Sequence, residues 1–167
     1  MNETITIRDF HASDATGVNR VALAAFDEYR GDFSDWAAHS ASIARMASLA
    51  DVGELIVAGA EGRIVGAVVY VPPGAPKASH FDVDWPIIRL LVVDPAHRGL
   101  GLGRALTEEC VRRAVRDGSP VLALHTSPIM RVALPMYLRM GFALQREVAP
   151  INGVPYAVYL KRLAGSD

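Results

Sequence analysis

The segment Leu90-Leu91-Val92-Val93-Asp94-Pro95-Ala96-His97-Arg98-Gly99-Leu100-Gly101-Leu102-Gly103-Arg104-Ala105-Leu106 holds the residue types best able to grip an anion. An apolar strand feeds a turn punctuated by Gly99, Gly101 and Gly103, and the turn opens directly into a helix. Glycines let successive backbone N–H groups converge with no Cβ in the way. The helix beyond them offers unpaired N–H groups and the positive end of its dipole. Arg98 and Arg104 add side-chain donors. A pyrophosphate is the natural occupant. Two other phosphate motifs fit poorly: the dinucleotide fingerprint needs glycine where this chain has Arg104, and the P-loop needs a Gly-Lys-Ser/Thr ending, with no lysine nearby. As a plain strand-to-helix turn, three spaced glycines would cost backbone entropy that such a turn does not require.

Other reactive side chains say less. Cys110, the only cysteine, falls on the apolar side of its helix beside Leu106 and Ala114 and reads as a small core residue. The histidines, His11, His39, His80, His97 and His125, form no i,i+4 pair and have no cysteine partner, so no metal site is expected. By residue type alone, Tyr137 is an amphipathic-helix residue packing on a sheet.

The elements that must position the loop follow from periodicity. Residues 4–8 alternate β-branched and polar types and predict a strand. Ser13 or Asp14 can cap a helix with Val18, Val21, Ala22, Ala25 and Phe26 at helical spacing, broken at Gly31. A second helix is expected over about 35–49, with Trp36, Ile43, Met46 and Leu49 inward. Residues 54–60 and 63–71 predict a hairpin turning at Glu61-Gly62. Residues 72–80 form an exposed loop, and 85–93 a strand that stops at Asp94-Pro95. The helix after the glycines, over about 101–117, turns Leu102, Leu106, Cys110, Val111, Ala114 and Val115 one way and Glu108, Arg112, Arg113 and Arg116 the other, with Gly118 as its C-terminal stop. A short buried strand over 121–126, a helix over 129–140 ending at Gly141, and a strand pair over 142–146 and 154–160 complete the chain. The order β-α-α-β-β-β-α-β-α-β-β is an α/β (mixed α+β) layout around a mixed sheet, with no repeat, linker or domain boundary.

Composition bounds the function. A length of 167 residues fits one domain over 1–167, and 51% apolar with 21% charged residues suits a globular core. A net charge of −1 gathers neither nucleic acid nor an anionic membrane, so no such partner is expected. Without a signal-peptide pattern, a membrane span or a second cysteine for a disulfide, the cytoplasm is the expected location.

The sequence resembles the GNAT superfamily of N-acyltransferases. Arg98-Gly99-Leu100-Gly101-Leu102-Gly103 matches the family's (Arg/Gln)-x-x-Gly-x-(Gly/Ala) signature, and Leu91-Val92-Val93-Asp94-Pro95 resembles the strand before it. Ala133-Leu134-Pro135-Met136-Tyr137-Leu138-Arg139-Met140-Gly141-Phe142 is similar to the family's aliphatic-Tyr-x-x-x-Gly-Phe helix end. The element order agrees, so the resemblance spans essentially the whole chain. It implies a GNAT-like fold: a mostly antiparallel mixed sheet with one splayed parallel pair, flanked by about four helices.

The resemblance also implies a mechanism. Acetyl-CoA or another acyl-CoA would lie between strands ending near Val93 and Thr126, its pantetheine arm pairing with Leu91, Val92 and Val93. A backbone N–H at Val92 or Val93 would face the thioester oxygen. The pyrophosphate would rest on Arg98, Gly99, Leu100, Gly101, Leu102, Gly103 and Arg104. Tyr137 matches the general acid that protonates the departing sulfur. The glutamate that some members use as base falls at Ile87, which leaves Asp84, Asp82, His80 and His125 as candidates. The family's cofactor-contacting asparagine is replaced by Met130. The acceptor, a primary amine on a small molecule or peptide, would meet the first two helices and the loops at 72–84 and 149–155. Phe26, Tyr29, Phe33, Trp36 and Phe81 could line its pocket beside Asp84 and His125, with Glu28, Asp32 or Asp82 drawing in a cation. Members of such families are often homodimers. A catalytically silent acyl-CoA-binding or regulatory domain is the alternative reading, and a nucleotide-binding protein a third.

Overall fold

The computed structural model describes residues 3–163. One seven-stranded sheet runs through it in the order β1-β2-β3-β4-β5-β7-β6. Its strands are β1 (Ile5–Asp9), β2 (Glu54–Ala60), β3 (Arg63–Val71), β4 (Ile87–Val93), β5 (Val121–Thr126), β6 (Ala143–Ile151) and β7 (Val154–Arg162). Every neighbouring pair is antiparallel except β4 and β5. Helices α1 (Ala15–Phe26) and α2 (Trp36–Ile43) cover one face, while α3 (Leu102–Arg116) and α4 (Ala133–Arg139) cover the other. The expected element order and mixed sheet are both present. No helix among the described residues is long and apolar enough to cross a membrane.

Two cores result. Val18, Val21, Ala22 and Phe26 of α1 pack with Val57, Val69, Ile87, Ala123 and Val158 on the first face. Leu102, Leu106, Cys110 and Ala114 of α3 pack with Ile88, Leu122, Leu124, Tyr137 and Phe142 on the second. This is the period-two alternation of strands buried on both sides. Burial pushes the Cys110 thiol up, which leaves it inert as a nucleophile.

Local chemistry moved several boundaries. The second helix ends at Ile43, short of Leu49, because the Ala47 N–H is taken by Asn19 Oδ1 at 2.8 Å and a 3-10 turn follows over Met46–Asp51. The fourth helix begins at Ala133 instead of residue 129. Before it the chain turns tightly, with Met130 N–H on the Ser127 carbonyl and Arg131 N–H on that of Ile129. Pro135 sits in the first turn, where a missing N–H costs nothing. Val115 is 53% exposed, and Thr107 takes its place in the apolar stripe of α3, its hydroxyl donating to the Gly103 carbonyl at 2.7 Å. The stretch 149–155 is not an open loop. β6 continues to Ile151, and Asn152-Gly153, both at positive φ, close a two-residue hairpin.

Candidate active site

β4 is zipped to β3 on one side, but it meets β5 in register only at Ile87 and Ala123, where the Ala123 N–H donates to the Pro86 carbonyl at 3.0 Å. Beyond that point the two parallel strands part. The β5-facing edge of β4 is left with backbone donors and acceptors that no ladder fills. A bulge sits in the same stretch: Val69 faces Arg89 and Ala67 faces Val92, so Leu90 and Leu91 together oppose Val68. Leu90 carries φ of +59°, a conformation that costs a non-glycine residue about 1–2 kcal/mol. Packing that holds such a residue fixes the edge in one geometry.

The chain leaves β4 through a 3-10 turn over Pro95–His97, started by Asp94, whose Oδ1 accepts the Ala96 N–H at 3.0 Å. Gly99 and Gly101 then take φ of +81° and +79°, the left-handed conformation that favours glycine. Gly101 is the N-cap of α3, and no side chain caps the helix there. The first intrahelical bond runs from the Ala105 N–H to the Gly101 carbonyl, so the N–H groups of Leu102, Gly103 and Arg104 have no partner within the helix. A Cβ on Gly103 would lie 3.5 Å from Met136 Sδ and close to Leu91 and Val93. Glycine there keeps the space between α3, α4 and β4 open.

These elements enclose a cavity of about 390 Å³. Ala25, Phe26, Glu28 and Tyr29 wall it from the end of α1; Leu91 and Val93 come from β4, and His97 through Arg104, apart from Leu100, from the loop. Met130, Val132, Ala133, Met136 and Arg139 close it from the α4 side. Residues of both cores thus meet at the split in the sheet. Arg98 is anchored by Glu28 at 2.6 Å, and Arg104 by Glu108 at 2.8 Å. Burial, with Glu28 beside it, pushes the Tyr29 hydroxyl up to about 12.

Most of the residues expected at the site therefore line one space: Phe26, Tyr29, Leu91, Val93, Arg98, Gly99, Gly101, Leu102, Gly103 and Arg104. Others stand apart. Leu100 is 61% exposed, and the Val92 side chain is buried in the core under α1, while its backbone faces Ala67 of β3, not the open edge. Asp84 is exposed, its N–H turned back to Asp82 Oδ1 at 2.9 Å. Tyr137 is 5% exposed and packs edge-on against Phe142. Its hydroxyl takes no partner among the described residues and is not sealed from solvent. Burial pushes that hydroxyl above its ordinary range. His125 lies on the α1 side of β5, with Nδ1 2.8 Å from His80 Nε2. Arg139 went unnoticed in the sequence, yet it lines the cavity and has no ion-pair partner among the described residues. No spacing rule ties a residue on α4 to a loop more than thirty positions earlier.

The sequence model of the acetyltransferase (GNAT) family matches residues 20–142. The chain belongs to that family. No curated protein matches the chain. Among solved structures, PH1933 from Pyrococcus horikoshii OT3 is similar, with 16% identity, 95% of this chain and 98% of that one covered, and a TM-score of 0.76. A GNAT family acetyltransferase from Brucella melitensis, in complex with acetyl-CoA, shares 18% identity over 99% of this chain and 92% of its own, with a TM-score of 0.68. One from Elizabethkingia anophelis with acetyl-CoA bound shares 18% identity over 95% and 98%, with a TM-score of 0.65. At such identities the likeness concerns the fold, and the GNAT fold is what this sheet and its split embody.

Proposed function

We propose that this GNAT-family chain is an acetyl-CoA-dependent N-acetyltransferase that transfers the acyl group directly to a primary amine. The observation that carries the reading is the convergence, on one cavity, of an uncapped glycine-led helix start and an unpaired strand edge. The first suits a pyrophosphate and the second an extended amide chain, and coenzyme A has both in that order. The free N–H groups at Leu102, Gly103 and Arg104 would hold the diphosphate, with Arg139 as an available cation. The open edge at Leu91 and Val93 would hold the arm and face a donor toward the thioester oxygen. The two relatives named above with acetyl-CoA bound favour the acetyl form of this ligand.

The role proposed for Tyr137 is to give a proton to the departing thiolate. With ordinary values of about 10 for a tyrosine and about 8.5 for a thiol, that transfer is uphill by about 2 kcal/mol. Burial of Tyr137 adds to the cost and also keeps the hydroxyl protonated at every working pH. A silent acyl-CoA-binding domain is the competing reading, since a buried Ile87 stands where a base would.

Two measurements separate the readings. Calorimetry should show binding of acetyl-CoA but not of NAD or ATP. A thiol-release assay with acetyl-CoA against amines, amino acids, polyamines, aminoglycosides and peptides should find an acceptor. Binding with no release on any acceptor selects the silent domain; equal binding of ATP removes the acyl-transfer reading.

A further inference from the structure

Ile87 and Ala123 are the paired residues from which β4 and β5 diverge. Two positions further along each strand, on the same face, stand Arg89 and His125. That face is the one under α1: Val69, opposite Arg89, and Val158, opposite His125, both belong to its core. The two side chains thus flank the mouth of the split on the side away from Tyr137, which belongs to the core under α3.

His125 does not stand alone. Its Nδ1 lies 2.8 Å from His80 Nε2, and its ring rests against Phe81 at 5.6 Å and Tyr156 at 5.1 Å between centroids. The loop bearing His80 is pinned by Arg146 of β6, whose guanidinium donates to the His80 carbonyl. Two imidazoles sharing one hydrogen bond must adopt complementary tautomers: one nitrogen carries the proton and the other accepts it. The second nitrogen of His125, Nε2, has no partner among the described residues and is not sealed from solvent.

We propose that His125 is the general base that takes the proton of the acceptor amine, and that His80 is a positioning residue that fixes its tautomer. The proposal rests on the acyl-transfer reading above. With Nδ1–H of His125 donating to His80 Nε2, the free Nε2 is the unprotonated nitrogen. As the amine nitrogen bonds the thioester carbon, one N–H proton passes to His125 Nε2, and the C–S bond breaks with its electron pair on sulfur. The thiolate takes a proton from Tyr137 or water on the opposite face; the imidazolium gives its proton to water, and Tyr137, where it is the donor, regains one from water.

The surroundings keep the His125 ring unprotonated, while making it a weaker base than a free imidazole. Burial first, then His80 and Arg89, push His125 down to about 4. Burial and Arg146 lower His80 as well. Asp82 and Asp84, on the same loop as His80, are exposed and do not bond to either ring. His125 is therefore neutral, and able to accept a proton, throughout the neutral range.

The test has two arms on the full chain. In long-range proton–nitrogen NMR of histidine-labelled protein at pH 7, His125 should show Nδ1 protonated and Nε2 bare; the reverse tautomer overturns the proposal. In the thiol-release assay with the fastest panel amine, or with water as acceptor if no amine is taken, His125→Gln should lower kcat by about 10²-fold or more. Its KM for acetyl-CoA should stay within about twofold. His80→Ala should reduce kcat less and change the His125 tautomer, whereas a purely structural pair would leave kcat and its pH profile alone. Arg89→Gln should move the acid limb of kcat upward in pH, because a lost cation favours the imidazolium. Wild-type kcat in His125→Gln overturns the base while leaving acyl transfer standing. Failure of the unaltered protein to bind acetyl-CoA removes acyl transfer itself.

Discussion

Arg98, at the start of the glycine turn, bonds Glu28 at 2.6 Å and reaches the Ala25 carbonyl at 3.4 Å, so the candidate phosphate loop is tethered to the end of α1. Both side chains are partly exposed, and such a pair contributes about 0–1 kcal/mol. Its larger effect would be on binding, since Glu28 competes with a diphosphate for the same guanidinium. Glu28→Gln should therefore tighten acetyl-CoA binding by about two- to fivefold, which is under about 1 kcal/mol. Calorimetry at low and high salt checks it. An unchanged or weaker affinity would mean that Arg98 stays on α1 and serves only to hold the loop.

Gly101 and Gly103 are needed for different reasons, and two variants separate them. At Gly101 an added Cβ meets nothing within 4 Å, but the backbone has φ of +79°. Gly101→Ala should cost stability by about 1–2 kcal/mol, seen as a lowered Tm. Gly103 has no such conformation; its Cβ would enter the cavity beside Met136. Gly103→Val should weaken acetyl-CoA binding by about tenfold or more, at least about 1.4 kcal/mol, with a smaller change in Tm. Equal affinities for Gly103→Val and the unaltered chain would put the diphosphate elsewhere.

Much of this was legible beforehand because local rules carried it. Glu61-Gly62 announces a hairpin, three glycines after an apolar strand announce an anion turn, and the alternation of buried residues fixes which strands are central. Elsewhere tertiary contacts decide. Nothing local says that Asn19 will capture the Ala47 N–H and end a helix, or that β4 and β5 will share a single register pair. Arg139 and Met136 reach the cavity only through the way α4 docks on α3. The pairing of His80 with His125 joins residues 45 apart in sequence and had no signal of its own. Asn152-Gly153 does carry a local signal, that of a two-residue hairpin turn.

Tyr137→Phe isolates the proposed acid. The ring packs between the apolar face of α3 and Phe142, and a phenylalanine keeps that contact. The lost hydroxyl has no partner among the described residues, so stability should change by less than about 1 kcal/mol. Turnover should fall by about 10²-fold while acetyl-CoA affinity holds. A drop in affinity matching the drop in turnover would show a binding role; unchanged turnover would leave the thiolate to water.

Acid should destabilise the fold before its carboxylates titrate. His125 drops from an ordinary 6.5 to about 4, chiefly through burial. Between those values the unfolded chain binds a proton that the folded chain refuses, so stability rises with pH across the window. The contribution is complete above about 6.5 and is lost as pH falls toward 4, amounting to about 2–3 kcal/mol at pH 4.5. For a chain of this size that corresponds to a fall in Tm of about 5–10 °C. His80 and His39, both lowered mainly by burial, act in the same direction. The lowered carboxylates Asp14, Glu109 and Asp117 lose their ion-pair contribution only at more acid pH. Thermal melts at pH 7.5, 6.0, 5.0 and 4.5 should slope downward, and His125→Gln should flatten the slope, because glutamine has no proton to bind. A chain whose Tm is level from pH 6.5 to 4.5 would have its His125 ring open to water, and neither the burial nor the dyad described above could hold.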